Sequence, residues 1–337
     1  MNTARRPEES DDAVRTPAAH GCDDRELVRL ATLAASSHNT QPWMFRVEPD
    51  AITILPDRSR RCPTVDPDDA HLFRSLGCAA ENLVHAASTQ RLAAEVRYDE
   101  STEAIVVGLR PGEGVGPSPL ASAITTRQST RLPFDGTTLT DDELELLAHA
   151  GVGDYARPVI VTEPARLAAI SDLVARGNEA QLSDPAFRRE LLSWIRFNAA
   201  AAERTRDGLA GRCSGNPSLP TWLARPLSRL ILRPSTQIER DTEALRSSAG
   251  VVVLVSTRND STGWVDAGRA CQRLALQAAA LDIRTAFINQ PIEVPSLRPE
   301  LESLLGIENE HAQLAMRFGH GPLAPYSLRR PVDEVTC

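Results

Sequence analysis

The sequence of 337 residues contains no lysine, so all 37 of its basic residues are arginines. A lysine Schiff base and a Walker-type phosphate loop both need a primary amine on a side chain, and this chain can form neither. An anionic ligand would therefore have to be held by guanidinium groups, hydroxyls or backbone amides. The arginines become the first candidates for a ligand site.

Cysteine is also sparse, and its spacing carries no recognisable motif. The six cysteines include no Cys-x-x-Cys pair, and no histidine pair at ligand spacing accompanies them. Scattered thiols of this kind are typical of reduced cysteines in the cytoplasm. We therefore predict no disulfide framework and no metal site.

Long apolar runs and an excess of positive charge are absent as well. No run approaches the roughly 18 apolar residues of a membrane-spanning helix. Residues 1–22 are polar and lack the apolar core of a signal peptide, so we predict a disordered tail there. The net charge of −8 gives no electrostatic footprint for nucleic acid or for an anionic membrane surface. The sequence predicts a cytoplasmic protein that binds neither.

The chain does contain an internal repeat. An Asp-x-x-Glu pattern at Asp23 and a Thr-x-x-Glu pattern at Thr140 each resemble a helix-capping box, and each precedes an amphipathic helix and a β-like run. The segment GCAAENLVHAA at Gly77 matches GRACQRLALQAA at Gly268 at an offset of 191 residues. A chance match of alanine-rich helices is the alternative for this second pair alone. Two matches in the same order indicate duplicated halves.

The repeat also predicts the domain organisation. Its two offsets differ by 74 residues, so the second copy must contain an insertion between its first strand and its long helix. We predict a first half over residues 23–113, a second half over 114–337 and a lid over about 175–246, in which 184–205 form one helix. Strands alternating with helices predict an α+β fold whose two half-domains pack as a dimer within one chain.

The two halves differ in their polar motifs, which suggests a single composite site. The first copy has SSHNTQPW at residues 36–43, after its first helix, and the second copy has no polar equivalent. The second copy has RQSTR at residues 127–131, before its first helix, and the first copy has nothing similar. Arginines and a hydroxyl can grip an anion, although a solvated basic turn explains the pentapeptide alone equally well.

Together with NQPIE and the C-terminal MRFGHGPLAPYSLRRPVDEV, these motifs resemble the FMN-binding nitroreductase superfamily. Within it they resemble the Acg-type branch, in which two nitroreductase-like halves are fused. The resemblance spans nearly the whole chain after residue 22. It implies a nitroreductase-like fold with one FMN site, bound chiefly by the second half beside the loop 36–43 of the first half. It also implies NAD(P)H as a possible electron donor.

The resemblance assigns the cofactor site residue by residue. The residues that it implies are Arg127, Gln128, Ser129, Arg131, Ser36, Ser37, Asn39, Pro291, Ile292, Glu293, Arg329 and Arg330. By analogy, Arg127 and Ser129 hold the phosphate and the ribityl chain. Arg329 or Arg330 completes the phosphate site. Arg131 lies near the pyrimidine end of the flavin, where a cation stabilises the negative charge that gathers on reduction.

The remaining residues of this set are expected at the flavin ring. By the same analogy, residues 291–293 approach the ring through backbone groups, and Ser36, Ser37 and Asn39 reach it from the first half. No side-chain acid or base is required, because the flavin carries the chemistry. His38 could donate a proton, but a structural role is the commoner one for such a histidine.

Three functions remain open on the sequence. The first is an FMN-dependent oxidoreductase that passes a hydride from NAD(P)H to a nitroaromatic, a quinone or a similar small molecule. The second is a protein that stores, sequesters or senses FMN under its lid without turnover. The third is a biosynthetic dehydrogenase whose substrate pocket includes Trp194, Phe197 and Trp222. All three predict a monomer, because a fused dimer has already formed its subunit interface.

Overall fold

The computed structural model describes residues 24–214, 220 and 232–337. The predicted N-terminal tail, the first capping position Asp23, and Trp222 lie outside these residues. Within them, every helix is too short or too polar to cross a bilayer.

Two four-stranded antiparallel sheets form the framework. Sheet one consists of β1 (Trp43–Glu48), β2 (Ala51–Pro56), β3 (Leu92–Asp99) and β4 (Ala104–Pro111). Sheet two consists of β5 (Ala156–Val161), β8 (Gly250–Ser256), β9 (Arg284–Phe287) and β10 (His311–Gly319), and a short parallel pair is formed by β6 (Ile195–Arg196) and β7 (Leu209–Ala210). The strand order is β1-β2-β4-β3 in sheet one and β5-β8-β10-β9 in sheet two, so corresponding strands occupy corresponding places. The shared topology agrees with the predicted repeat.

Helices cover the sheets and occupy the longer connections. They are α1 (Asp24–Thr32), α2 (Ala70–Thr89), α3 (Asp141–Ala150), α4 (Pro164–Ser183), α5 (Pro185–Trp194), α6 (Ala199–Thr205), α7 (Pro234–Arg246), α8 (Ser261–Ala280), α9 (Gln290–Glu293), α10 (Arg298–Leu305) and α11 (Val332–Val335). The predicted capping box at the start of α3 is confirmed, since Thr140 Oγ1 accepts from the Glu143 amide and Glu143 Oε2 accepts from the Thr140 amide. In the chain order of each half, α3 and α8 correspond to α1 and α2.

The long helices α2 and α8 cross closely, and two glycines make this possible. A β-carbon on Gly77 would lie 2.2 Å from the Val265 carbonyl oxygen, and one on Gly268 would lie 2.1 Å from the Arg74 carbonyl oxygen. The repeat that relates Gly77 to Gly268 also relates Arg74 to Val265, so each half makes the same contact with the other. An interface between two identical subunits has this reciprocal pattern. The crossing agrees with a dimer fused into one chain.

The extra residues of the second half lie between its first two strands. Residues 49–50 join β1 to β2, whereas residues 162–249 join β5 to β8. This long connection, called the insert below, carries α4 to α7 and the β6–β7 pair, and the predicted lid falls within it. The single helix predicted over 184–205 is wrong. The helix ends at Trp194 because the next two residues pair with β7, and Asn198 then caps a new helix by accepting a hydrogen bond from a backbone amide.

Both sheets are covered by helices, which leaves their connections to form a site. Sheet one packs its apolar face on α1 and α2 around the fully buried Trp43 and Phe45. Sheet two is buried on both faces, with α4 and α10 on one side and α3 and α8 on the other. Strand β8 accordingly reads GVVVLVS, a continuous apolar run that is buried throughout.

Candidate functional site

A cavity of about 560 Å³ lies where the two halves and the insert meet. The first half lines it with Ser36, Ser37 and His38 from the loop and with side chains of α2. The second half contributes Arg131 and most of the segment 286–293, and the insert contributes side chains of α4, α5 and α7. Small-molecule and cofactor sites usually measure roughly 300–1,000 Å³, so the cavity has a suitable size.

The loop 36–43 has an unusual backbone. His38, Asn39 and Gln41 have φ angles of 48°, 54° and 53°, in the left-handed region that residues other than glycine seldom adopt. Such a conformation persists only where surrounding contacts determine it, and it is frequent at ligand sites. The contacts that hold this loop therefore need to be identified.

The insert supplies those contacts. Asn39 Nδ2 donates to the Gly208 carbonyl at 3.1 Å, and the Gly208 amide donates to the Asn39 carbonyl at 3.1 Å. Gln41 Nε2 donates to the Arg206 carbonyl at 2.9 Å. The side chain of Asn39 is thus engaged with the insert, whereas Ser36 and Ser37 line the cavity.

The C-terminal arginines lie behind the same loop. The buried Arg329 guanidinium donates to Asn39 Oδ1 at 2.9 Å and to the Thr32 carbonyl at 2.8 Å. The Arg330 amide donates to Gln41 Oε1 at 2.8 Å. These bonds tie the C-terminal segment to the loop, and neither arginine is among the residues that line the cavity.

Arg127 is a second buried cation beside Arg329. Arg127 Nη2 donates to the Leu33 carbonyl at 2.8 Å, and Arg329 Nη2 donates to the same oxygen at 3.4 Å. Burial lowers the pKa of Arg127. The groups that raise this pKa are the thiols of Cys78 and Cys271 and the phenol of Tyr326, and no carboxylate of the described residues is among them. Leu33 is two residues from Ala35, which lines the cavity. An anionic ligand would neutralise this buried charge.

The segment 127–131 also contains hydrogen-bond donors that the described residues leave unpaired. Arg127 Nε, Gln128 Nε2 and Thr130 Oγ1 are buried without a partner there, and an unpaired buried polar group costs about 1–3 kcal/mol. Ser129 forms a backbone bridge with Thr285. Three such donors within four residues fit a ligand that is rich in acceptor oxygens, such as a phosphate.

The NQPIE segment contributes its glutamate to the cavity. Pro291 and Ile292 are buried in α9, where Ile292 packs into the core of the second half. Glu293 lines the cavity, and its Oε2 accepts a hydrogen bond from Gln181 Nε2 at 2.7 Å. Burial raises the pKa of Glu293 to about 7. The predicted site residues that line the cavity are Ser36, Ser37, Arg131 and Glu293.

The cavity wall carries more positive than negative charge. Its arginines are Arg74, Arg131, Arg196, Arg240 and Arg317, and its carboxylates among the described residues are Asp241 and Glu293. Burial lowers the pKa of Arg74 to about 9 and that of Arg317 to about 10, so both guanidinium groups are still protonated at pH 7. A concave wall with an excess of cations favours an anionic ligand.

Sequence motifs did not identify the part of α2 that lines the cavity. The residues concerned are His71, Arg74, Ser75 and Cys78. Their spacing places them on one face of the helix. In the sequence, the only indication of this site is a histidine and an arginine on a helix face whose other residues are small or apolar. Buried charged residues are rare unless they have a partner.

The aromatic residues predicted for a substrate pocket have different surroundings. Phe197 lines the cavity. Trp194 instead packs against the guanidinium groups of Arg60 and Arg196, whose carbons lie 5.5 Å and 5.8 Å from the ring centroid. Further apolar side chains of the insert line the cavity, namely Leu182, Phe187, Leu191, Leu209 and Leu232. The insert therefore contributes both apolar side chains and polar ones, such as Gln181 and Asp241, to the cavity.

Comparison with known proteins identifies a family and several relatives. A family model described as "Nitroreductase family" matches residues 124–320. Two proteins of Mycobacterium tuberculosis H37Rv, both named "Putative NAD(P)H nitroreductase", are 24% identical over 322 residues and 23% identical over 325 residues. Each alignment covers 92% of this chain, and the two cover 90% and 94% of the relatives.

Two solved structures align with part of the chain. The NADPH:FMN oxidoreductase from Vibrio harveyi complexed with NAD+ aligns with a TM-score of 0.38 and 14% identity, over 63% of this chain and 73% of that one. A nitroreductase with bound FMN from Desulfitobacterium hafniense aligns with a TM-score of 0.39 and 16% identity, over 65% of this chain and 98% of that one.

Proposed function

The chain belongs to the nitroreductase family, and from this premise we propose that it transfers a hydride from NAD(P)H to a small acceptor through one FMN site in the cavity. As a member of the family it is an FMN-dependent oxidoreductase. Its relatives from Mycobacterium tuberculosis, aligned over nine-tenths of their length, carry NAD(P)H nitroreductase names. The acceptor that we propose is a nitroaromatic, a quinone or a similar small molecule.

The observation that carries this proposal is the composite cavity. Ser36 and Ser37 enter it from the first half, and Arg131 and Glu293 enter it from the second. This is the division of labour that the fused-dimer resemblance implies for one flavin. The excess of arginines in the wall supports an anionic cofactor, because a phosphate and a reduced flavin both carry negative charge.

The residues present fit FMN. Arg127, Gln128 and Thr130 have buried donors that a phosphate and a ribityl chain would satisfy. Arg329 shares the Leu33 carbonyl with Arg127 and supplies a second guanidinium there. We propose that these groups, with Ser129, hold the phosphate and ribityl end.

The other end of the flavin is assigned to the cavity itself. We propose that Arg131 lies by the pyrimidine ring and that Pro291, Ile292 and Glu293 flank the isoalloxazine. Asn39 and Arg330 brace the loop through their bonds to the insert and to Gln41. FMN supplies the chemistry of accepting and passing on a hydride when it is bound, and the chain supplies position, charge and exclusion of water.

A second candidate function is storage or sequestration of FMN without turnover. The observation that favours it is the insert, which lines the cavity and is hydrogen-bonded to the loop 36–43. A cover fixed in this way would admit a flavin but keep nicotinamide away from it. The two functions therefore differ in access to the flavin.

The experiment is an anaerobic titration of the FMN-loaded protein with NADPH and then with NADH, followed by visible absorption. A reductase is expected to bleach with a nicotinamide at rates compatible with turnover. A bound flavin that is bleached by dithionite and by neither nicotinamide would support sequestration. A protein that retains no flavin would refute both functions.

The phosphate assignment is tested separately with Arg127→Ala. Removal of this guanidinium is expected to weaken FMN binding by about tenfold or more, since it deletes a charge-assisted contact worth about 1.5–3 kcal/mol. Arg176→Ala is the matched control, because Arg176 is an exposed arginine paired with Glu300. Equal flavin retention in the two variants would contradict the assignment.

A further inference from the structure

A chain of buried polar side chains runs from the centre of the molecule to the cavity. Arg74 Nη2 donates to Gln313 Oε1 at 2.5 Å, and Arg74 Nη1 lies 3.3 Å from His71 Nδ1. His71 Nε2 in turn lies 3.5 Å from Glu293 Oε1. Arg74, His71 and Glu293 all line the cavity. Of these three residues, only Glu293 belongs to a sequence motif, NQPIE. The resemblance implies that it contacts the flavin through its backbone.

The partner of His71 determines which of its ring nitrogens carries the proton. A guanidinium group has only donors, so the His71 Nδ1 atom that faces Arg74 must accept. In neutral imidazole the proton then resides on Nε2, which faces Glu293. His71 is neutral at physiological pH, because burial and the charges of Arg74 and Arg298 hold its pKa well below the usual value. Arg74 thus fixes the tautomer of His71.

The surroundings of Glu293 consist of donors. Gln181 Nε2 donates to Glu293 Oε2 at 2.7 Å, and His71 Nε2 lies 3.5 Å from Glu293 Oε1. Neither atom can accept a proton, so a proton on Glu293 is available to a ligand in the cavity. Once that proton has left, the same two donors stabilise the carboxylate.

The charges around Glu293 make its protonated form available near neutral pH. Burial raises its pKa to about 7, the hydrogen bond from Gln181 and the charge of Arg74 lower it, and the charge of Asp66 raises it. The charge of Arg298, on α10, also lowers the pKa of His71 and that of Arg74. A general acid works best when its pKa lies near the working pH.

The other titratable groups of the cavity are less suited to this role. Asp241 accepts three hydrogen bonds, from Asn178, Gln237 and Gln290 at 2.8–3.0 Å, and these favour its charged form more than the bond from Gln181 favours that of Glu293. His38 has a pKa lowered to about 4 by burial and by the charge of Arg131, so it carries no extra proton at pH 7. Glu293 is the remaining candidate among the carboxylates and histidines of the described cavity wall.

We propose that Glu293 is the proton donor for reduction of the acceptor, and that His71 and Arg74 are positioning residues that keep its proton directed into the cavity. The inference rests on the proposed reductase function. In the case of a quinone, the hydride that originates from NAD(P)H reduces the acceptor by two electrons and forms one O–H bond. The carboxyl O–H bond of Glu293 breaks, and its proton forms the second bond, giving hydroquinone and NAD(P)+. Water then returns a proton to the carboxylate.

The two half-reactions separate this proposal from the function on which it rests. Hydride transfer from NAD(P)H to the cofactor consumes no proton, whereas reduction of the quinone consumes one. Stopped-flow absorption of the FMN-loaded protein measures each step. The probe is tetramethyl-benzoquinone, which has no free ring position to react with thiols. Protein reduced with dithionite allows the second step to be measured even if neither nicotinamide bleaches the flavin.

In the wild-type protein, the rate of the quinone step is expected to fall as the pH rises through about 7. Glu293→Gln should slow this step by about 100-fold and remove its pH dependence. FMN retention and bleaching by NAD(P)H are measured in the same variant, and a loss of either that matches the loss of the quinone step would assign Glu293 to flavin binding and contradict the proposal. His71→Gln should retain FMN but shift the pH profile, while Glu293→Asp should restore part of the rate. An unchanged rate or an unchanged pH profile in Glu293→Gln would overturn the proposal.

A second measurement does not depend on turnover. Infrared titration of the FMN-free protein should show a carboxyl C=O band that disappears as the pH rises through about 7 and that is absent from Glu293→Gln. Glu300→Gln is the control, because Glu300 is exposed and paired with Arg176, and it should leave both readouts unchanged. A band that titrates in the same way in wild type and Glu293→Gln would assign the proton to another group and contradict the proposal.

Discussion

Glu81 is a carboxylate buried in the interface between α2 and α8. Its two oxygens accept hydrogen bonds from Arg269 Nε at 3.0 Å and Arg273 Nε at 2.5 Å, and His85 Nε2 lies 3.4 Å away. Burial alone would raise the pKa of Glu81, but His85 and the two arginines outweigh it and lower the pKa to about 2. One residue of the first half thus anchors two cations of the second.

Glu81→Gln is expected to destabilise the fold by about 1.5–3 kcal/mol, because it weakens the charge-assisted hydrogen bonds of two partly buried guanidinium groups to a buried carboxylate. The free energy of unfolding from denaturant titration measures this. Glu145→Gln is the control, since Glu145 is exposed and close only to an exposed histidine. Because the folded pKa lies below the usual 4.5, the contribution of Glu81 is present above pH 4.5 and is lost as the pH falls toward 2. Equal stability of the two variants would contradict the role of Glu81.

Single residues also show what the sequence could and could not reveal about the site. Arg127 and Gln128 were identifiable because they belong to a motif, and each has a buried donor without a partner among the residues that the structure describes. His71 and Arg74 were not identified, because their relation to Glu293 depends on contacts between α2 and α9, more than 200 positions apart in the chain. Sequence patterns report neighbours on one element, whereas a cavity brings together several elements.

At the scale of elements, the insert is held to the first half by an ionic cluster. Asp207 of the insert pairs with Arg60 of the first half, and with Arg196 Nη2 at 2.6 Å. Arg60 and Arg196 also stack on Trp194. Hydrogen bonds and both arginines lower the pKa of Asp207 despite partial burial, which alone would raise it. The insert is thus held by this ionic cluster and by the hydrogen bonds between residues 206–208 and the loop 36–43.

We expect Asp207→Ala to loosen the insert without unfolding the protein. Loss of charge-assisted hydrogen bonds worth about 1.5–3 kcal/mol should accelerate amide hydrogen exchange in residues 199–210 by about tenfold or more, and bound FMN should exchange faster. Hydrogen exchange with mass spectrometry measures the first effect. Asp172→Ala is the comparison, because Asp172 makes an exposed pair with Arg176. Equal protection in both variants would show that the cluster does not hold the insert.

Element boundaries were predictable where they depend on local chemistry. The capping box at Thr140 and the apolar run of β8 are read directly from the residues, and the structure has both. The strand β3 was not identified, because its sequence, LAAEVRYD, contains only scattered apolar residues and three of its eight residues are exposed. The helix predicted over 184–205 was interrupted by pairing of Ile195 and Arg196 with β7, which local helix propensity does not register.

At the scale of the whole molecule, the repeat predicts more than any single motif does. It predicted two similar halves, and the structure gives both sheets the same strand order. It also matched Gly77 with Gly268, and these are the residues at which α2 and α8 approach each other. Duplication preserves packing at such a contact because a change in either copy would separate the two helices.

The same symmetry predicts the oligomeric state. The helices α2 and α8 pack the two halves against each other, as the resemblance to a fused dimer implies, and Gly77, Gly268 and Glu81 are buried there. The large apolar side chains exposed among the described residues are Val47, Leu146, Val152, Tyr155 and Leu323, and none is more than 57% exposed. We therefore expect light scattering to give a mass near 36.6 kDa at micromolar concentration, with or without FMN. A mass near twice that value would mean that a second interface exists, and hydrogen exchange that differs between dilute and concentrated protein would then locate it.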